Sequence, residues 1–208
     1  PALVAAMAGA MILHVIIGAG YFDQLWFVQE RGFQRDDIAK LTGFMGLTGG
    51  VIGTFVGGMG SDLFTQKTGY GRLAFLFLLL LVCAPFMIAF RLAPGDSIWI
   101  PLGLFLGMFQ IGAFFGPFFA SVQGLIPPEV RSTVIAFSIL LMNVIGLGIG
   151  ITLTGVSIDL MTAYGVDEPY SVTLLWFTVF SFLAMPCFLF AGLRYKRDQE
   201  RLGLLESG

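Results

Sequence analysis

The sequence predicts an all-α integral membrane protein of six spanning helices, and three observations carry that prediction. Hydrophobic residues make up 57% of the 208 residues and charged ones only 12%. With a mean hydropathy of +0.89, this lies outside the range of soluble globular domains. The 24 charged side chains, 11 basic and 13 acidic, are absent from six stretches: 1–22, 41–61, 73–90, 97–128, 132–158 and 169–193. None of these is much shorter than the roughly 20 residues needed to cross about 30 Å of hydrocarbon. Barrel strands would be about half as long and would alternate in polarity. A helical bundle therefore remains as the spanning structure that satisfies its own backbone. The spans run over about 1–28, 38–60, 72–91, 97–124, 129–158 and 170–193, with a tail at 194–208.

The first stretch has no initiator Met, no basic leader and no cleavage site, which argues against a signal peptide. It starts inside apolar sequence, so an upstream part is expected to be missing. His14, the sole histidine, lies about 17 Å along the helix from Leu3, near the bilayer middle. Gly18 and Gly20 follow it as a weak point, and Tyr21 lies two turns away on the same face. Asp23 falls about 30 Å from Leu3, at the outer interface. It reads as a solvated or Gln24-bonded end residue more than as a proton carrier, although intramembrane carboxylates commonly mark proton paths.

In the second span Gly49, Gly53 and Gly57 recur at every fourth position, and Gly103/Gly107, Gly112/Gly116 and Gly146/Gly150 repeat that spacing in the fourth and fifth. Such stripes let helices approach closely in lipid. The third and sixth spans carry the two cysteines, Cys83 and Cys187, with no metal-ligand spacing and no disulfide framework. The fourth holds Gln110 about 17 Å from Trp99, among Phe109, Phe114, Phe115, Phe118 and Phe119. The fifth begins at Pro127-Pro128-Glu129, suited to a helix start. It places Asn143 about 15 Å from Thr133. Its Gly146, Gly148 and Gly150 do not follow a strand, so a nucleotide-binding loop is excluded. After the sixth span, residues 194–205 read as a short helix at the headgroups with a solvated charge run.

Seven basic residues (Lys67, Arg72, Arg131, Arg194, Lys196, Arg197, Arg201) share one side, against Arg31, Arg35, Lys40 and Arg91 on the other. The positive-inside rule makes the first side, and the C-terminus, cytoplasmic. Trp26, Trp99 and Tyr170 then flank span ends on the opposite face as interfacial aromatics. A net charge of −2 points to no nucleic acid. An enzyme is not expected, because there is no metal cluster, no nucleophile with a base in register and no carboxylate pair at one depth. No cofactor and no metal are expected either. His14, Gln110 and Asn143 share the midplane, where secondary transporters hold solutes and ions. For His14 three roles stay open: coupling with an unperturbed pKa of about 6.5, polar lining without titration, and packing. For Gln110 and Asn143 helix-to-helix hydrogen bonding is the equal alternative.

The segment from Gly57 through Gly58, Gly60, Asp62, Lys67 and Gly69 to Arg72 resembles the signature loop of the major facilitator superfamily, at that family's position between the second and third spans of a six-helix half. Gly116-Pro117, the run Gln123–Thr133, Asn143, Gly146, Gly148, Gly150 and Ser157-Ile158-Asp159 are similar to Spinster-type transporters. The resemblance implies a C-terminal half of a 12-helix bundle whose N-terminal half is the partner. It implies alternating-access transport of an amphipathic solute, lysolipid or sphingoid-like, and the driving force stays open between a proton gradient and a substrate gradient. The first and fourth spans would line the cavity, giving His14, Tyr21, Gln110 and Phe114 as lining candidates, with Asn143 of the fifth span added at the same depth and His14 and Asp23 as coupling candidates. Gly58, Asp62, Lys67, Gly69, Arg72, Glu129 and Arg131 would form the conformational loop. The expected location is the bacterial inner membrane, among membrane lipid. The alternative from another class is a multi-span scaffold or assembly subunit that does not transport.

Overall fold

The computed structural model describes residues 1–203. Six helices are long and apolar enough to cross a membrane: α1 (Ala2–Glu30), α2 (Arg35–Thr68), α3 (Arg72–Leu92), α4 (Trp99–Gln123), α5 (Pro128–Ala163) and α6 (Pro169–Arg201). No strand occurs among the described residues.

Four of the helices change pitch where the sequence loosens them. In α1 a tighter 3₁₀ turn over Gly20–Phe22 separates Ala2–Ala19 from Asp23–Glu30, at the glycines expected to be a weak point. A wider π turn interrupts α2 at Val56–Gly60 and α5 at Met142–Leu147. Such turns displace one backbone bond and commonly sit where helices must adapt. Pro186 removes one backbone donor and crowds the carbonyl four residues earlier. The chain duly breaks at Phe182 and Leu183, between Pro169–Ser181 and Ala184–Arg201. Pro128 opens α5 as a 3₁₀ turn over Pro128–Val130, as a residue with no N–H to lose should.

The contacts have an internal symmetry. α2 packs mainly on α4, and α5 packs mainly on α1. Likewise α3 lies against α4, α6 lies against α1, and α3 and α6 pack on each other, whereas α1 and α4 touch little. Each three-helix half thus lends its middle helix to the first helix of the other. The exchange works because glycine lets backbone meet backbone. A Cβ on Gly53 would stand 2.9 Å from the Cα and carbonyl carbon of Phe109 in α4. One on Gly150 would stand 3.0 Å from the same atoms of Val15 in α1. Dispersion between surfaces this close takes the place of hydrophobic association in lipid.

Two apolar cores follow. The larger joins Ala6, Ala10, Leu76, Phe114, Phe118 and Phe188, and the smaller joins Trp26, Phe27, Phe90, Ile100 and Leu174 near the opposite end. The gap between α1 and α4, backed by α3 and α6, stays open.

Three local expectations need correcting. The second helix does not end at residue 60 but runs on to Thr68, so Asp62 and Lys67 are helical and the turn begins at Gly69, whose φ of 76° favours glycine. Trp26 is no interfacial anchor, since it is fully buried between two arginines. The charged tail is helical as expected, as far as Arg201 and continuous with the last span, but it is not a wholly solvated charge run, since Asp198 is buried; residues 204–208 lie outside the described residues.

Candidate functional site

Between α1 and α4 lies a cavity of about 390 Å³. Apolar side chains make most of its wall, among them Leu13, Ile16, Leu80, Met87, Leu104 and Phe114, and Gly103 and Gly107 thin the α4 side. Its polar groups are few: Tyr21 and Asp23 from α1, Arg91 from α3, Gln110 from α4, and Thr178 and Ser181 from α6. Asp23 and Arg91 are the charged ones.

Those two form an ion pair, Arg91 Nη1 donating to Asp23 Oδ1 at 2.6 Å. The same guanidinium donates from Nε to Thr178 Oγ1 at 3.2 Å. The Thr178 hydroxyl in turn donates a hydrogen bond to the Leu174 carbonyl at 2.8 Å. The guanidinium carbon also stands 5.2 Å from the Trp26 ring centre and 4.9 Å from that of Phe90. Cation–π attraction of this kind holds a guanidinium flat against its neighbours.

Trp26 takes a second cation on its ring, Arg31, at 5.1 Å, and donates from Nε1 to Ser171 Oγ at 2.8 Å. Glu30 accepts from the backbone N–H of Tyr170 at 2.7 Å and of Ser171 at 2.8 Å, and from the Ser171 hydroxyl at 2.6 Å. A carboxylate on the first turn of α6 satisfies donors the helix cannot use itself and suits its positive end. The C-terminal end of α1 is thereby tied to the N-terminal end of α6, and Trp26 links that tie to Arg91.

The expected site residues divide. Gln110 and Phe114 line this cavity, and Gln110 donates to the Leu106 carbonyl on its own helix at 3.2 Å. Tyr21 stands at the mouth, 66% exposed. His14 is buried but does not line this cavity. Its Nδ1 lies 2.8 Å from the Ala10 carbonyl, which can only accept. Its ring meets the edges of Phe114 and Phe115 at 5.6 and 6.2 Å, and α5 packs beneath it at Gly146. Asn143 is not brought to the cavity; it is exposed on the π turn of α5 and donates to Ile139 O at 2.9 Å. Asp23 is no free end residue but is paired with Arg91, and it is not bonded to Gln24, which donates instead to Thr42 at 3.0 Å. The reason is Arg91, which distance along one helix could not reveal.

Sequence reasoning missed Arg91, Thr178 and Glu30. A usable signal existed, because Asp23 ends the first span and Arg91 ends the third on the same membrane face. Opposite charges at one depth are candidates to pair across helices.

On the other face Asp62 Oδ1 accepts from Arg72 Nε at 2.6 Å. Arg131 Nε donates to the Ile126 carbonyl at 3.2 Å, while Lys67 and Glu129 make no ion pair among the described residues. A Cβ on Gly58 would meet nothing within 4 Å. No group of three His, Cys, Asp or Glu able to hold a metal occurs among the described residues.

No protein-family model and no curated protein matches this sequence. Solved structures do. A bacterial homologue of the human lysosomal transporter Spinster, inward-facing and unoccupied, superposes with a TM-score of 0.78 at 18% identity over 95% of this chain and 49% of its own. The same kind of protein in an inward-facing, occupied state gives a TM-score of 0.79 at 18% identity, over 95% and 50%. The chain spans about half the length of the structures it matches. Its six-helix fold is that of about half of this Spinster homologue.

Proposed function

From this shared half-transporter fold, we propose that the chain is the C-terminal half of a secondary transporter moving an amphipathic organic solute by alternating access. The observation that carries the reading is the shape of the cavity between α1 and α4: apolar along most of its wall, with one charged cluster at an end. A lysolipid or sphingoid-like molecule would place its chain on the apolar wall, where each buried CH₂ contributes about 0.8 kcal/mol, and its head at the charged end. A sugar would find too few hydrogen-bonding partners. The protein acts as a carrier and not as an enzyme.

The missing N-terminal half is the natural partner. Apolar residues stand exposed on α2 (Phe44, Leu47, Phe55) and on α5 (Phe137, Leu140, Val144), on the surface that the other half or lipid would cover. Rocking between halves would draw on the glycine contacts and π turns of these same two helices. Proton coupling is assigned to His14 or Asp23. The Asp62–Arg72 pair serves as a conformational lock on the cytoplasmic face, the C-terminus lies on that face, and the membrane is the bacterial inner membrane.

The test is uptake of a fluorescent lysolipid into proteoliposomes holding the full-length protein, with and without an imposed pH gradient. Uptake above that of protein-free liposomes is expected. Uptake equal to them would favour the scaffold reading.

A further inference from the structure

We infer that the end of α6 is a clasp, in which Tyr195, Asp198 and Gln199 hold the N-terminal end of α1 to the C-terminal end of α4 and keep the cavity shut on the side away from Asp23 and Arg91. They are positioning residues. Their part in moving a solute rests on the transporter reading above, whereas the clasp itself rests on the contacts.

α1 and α4 form two sides of the cavity yet touch little. On the side of Leu13 and Phe114 the cavity ends in an apolar plug of Ala6 and Ala10 from α1, Phe118 from α4 and Phe188 from α6. Apolar contact is non-directional, so the plug alone does not fix how far α1 stands from α4. Beyond the plug the contacts become polar, and all of them come from the last two turns of α6. Asp198 Oδ2 accepts from the backbone N–H of Ala2 at 2.6 Å, in the first turn of α1, whose N–H groups have no partner in their own helix. A carboxylate there also suits the positive end of that helix. Gln199 Nε2 donates to the Gly124 carbonyl at 2.9 Å, at the end where α4 leaves its carbonyls unpaired. Between these two bonds Tyr195 is buried with Ala2 and Leu125, its hydroxyl set against Gly124. Positions i, i+3 and i+4 form one helix face, and that face grips both cavity helices.

The gripping segment is anchored in its turn. Gly71, between α2 and α3, donates its N–H to the Gly192 carbonyl at 3.2 Å, and a Cβ on Gly192 would stand 2.7 Å from that of Ala74. Ala184–Arg201 is one unbroken helix that runs from Met185 on the cavity wall to the clasp. Asp198 is only 4% exposed. A tail that merely met water would leave that carboxylate outside.

Gly124 allows a steric test. Its backbone is right-handed, with φ −73°, so alanine is opposed there only by what its Cβ would meet. That is the Tyr195 hydroxyl, with the ring carbon Cζ behind it at 3.2 Å and Gln199 Nε2 at 3.4 Å. Gly124→Ala should push Tyr195 out, and loss of the hydroxyl in Gly124→Ala/Tyr195→Phe should let the ring return. Gln199→Glu keeps the size of the side chain and sets a carboxylate against the Gly124 carbonyl.

The reporter is Ser121, 0% exposed, on the α4 stripe of Phe114, Phe118 and Leu125. The full-length protein in nanodiscs carries Ser121→Cys with its other cysteines replaced by serine, and labelling by a water-soluble maleimide is timed. Gln199→Glu and Gly124→Ala should each speed labelling by at least about fivefold, the shift in open population that one hydrogen bond makes. Gly124→Ala/Tyr195→Phe should return it to within about twofold of the intact clasp, as a coupled pair requires. Buried Cys83 of α3, kept as the one cysteine in a second background, should label no faster in Gln199→Glu. In lysolipid uptake Gln199→Glu should lower the maximal rate at least about threefold and leave KM within about twofold, because the cavity wall is untouched.

Unchanged labelling in Gln199→Glu, no recovery in the double variant, or equal acceleration at Cys83, which would mean general loosening, overturns the clasp. Faster labelling with unchanged uptake overturns its part in transport. A wild type that takes up no lysolipid fails the transporter reading and leaves the labelling result standing.

Discussion

Alanine placed at Gly53 should loosen the protein, whereas alanine three residues earlier should not, and the difference follows from backbone geometry. A Cβ at Gly53 would collide with the Phe109 carbonyl oxygen and lie 2.9 Å from the Phe109 Cα and carbonyl carbon. Relaxed carbon contacts fall at about 3.5–4.0 Å, so the carbon contacts alone require α2 and α4 to part by at least roughly 0.6–1.1 Å. The obstructing atoms are main chain, and no rotamer change relieves them. Overpacking costs about 1–3 kcal/mol, and a rigid obstacle belongs at the upper end. Against this stands about 1 kcal/mol gained by replacing glycine with alanine inside a helix. The net is a loss of about 2 kcal/mol for Gly53→Ala. At Gly50 a Cβ would meet nothing within 4 Å, so only the gain remains, up to about 1 kcal/mol. Unfolding of the full-length protein in mixed micelles of rising SDS fraction, followed by tryptophan fluorescence, measures both variants. Equal stabilities for Gly50→Ala and Gly53→Ala would refute the close-contact account of the glycine stripe.

Removal of the carboxylate at Glu30 (Glu30→Ala) should cost about 1–2 kcal/mol as a lost helix cap, and amide hydrogen exchange at Tyr170 and Ser171 should rise with it. Asp62→Asn breaks a pair whose side chains are 50% and 33% exposed, so stability should change by less than about 1 kcal/mol. Its uptake rate should nevertheless fall if the pair is a conformational lock; normal uptake would remove that role. His14→Gln keeps a hydrogen-bonding side chain beside Ala10 and should flatten the pH profile of uptake. An unchanged profile would take His14 out of the coupling path and leave Asp23.

Much of the architecture was legible because lipid imposes strict conditions on sequence. A charge inside hydrocarbon is expensive, so charge-free stretches of sufficient length mark helices, and the glycine stripes mark where helices come close. Helix ends were less legible. Asp62 and Lys67 tolerate helical backbone beyond the apolar stretch, and hydropathy does not see a helix continuing into water. Depth along a single helix pointed to Gln110, which does line a cavity. It could not say which way His14 or Asn143 turns around its helix, since that depends on which neighbours pack there.

The sequence by itself thus determined six membrane helices, their likeness to one half of a major-facilitator bundle, and a sparse set of polar residues within them. Those properties are written in the local cost of putting a side chain into lipid. Only the tertiary structure decided which polar residues meet. Asp23 and Arg91 are 68 positions apart, and Trp26 lies between Arg91 and Arg31. The close approach of helices through Gly53 and Gly150 leaves α1 and α4 apart, and that gap makes a cavity whose charged end no single helix could announce.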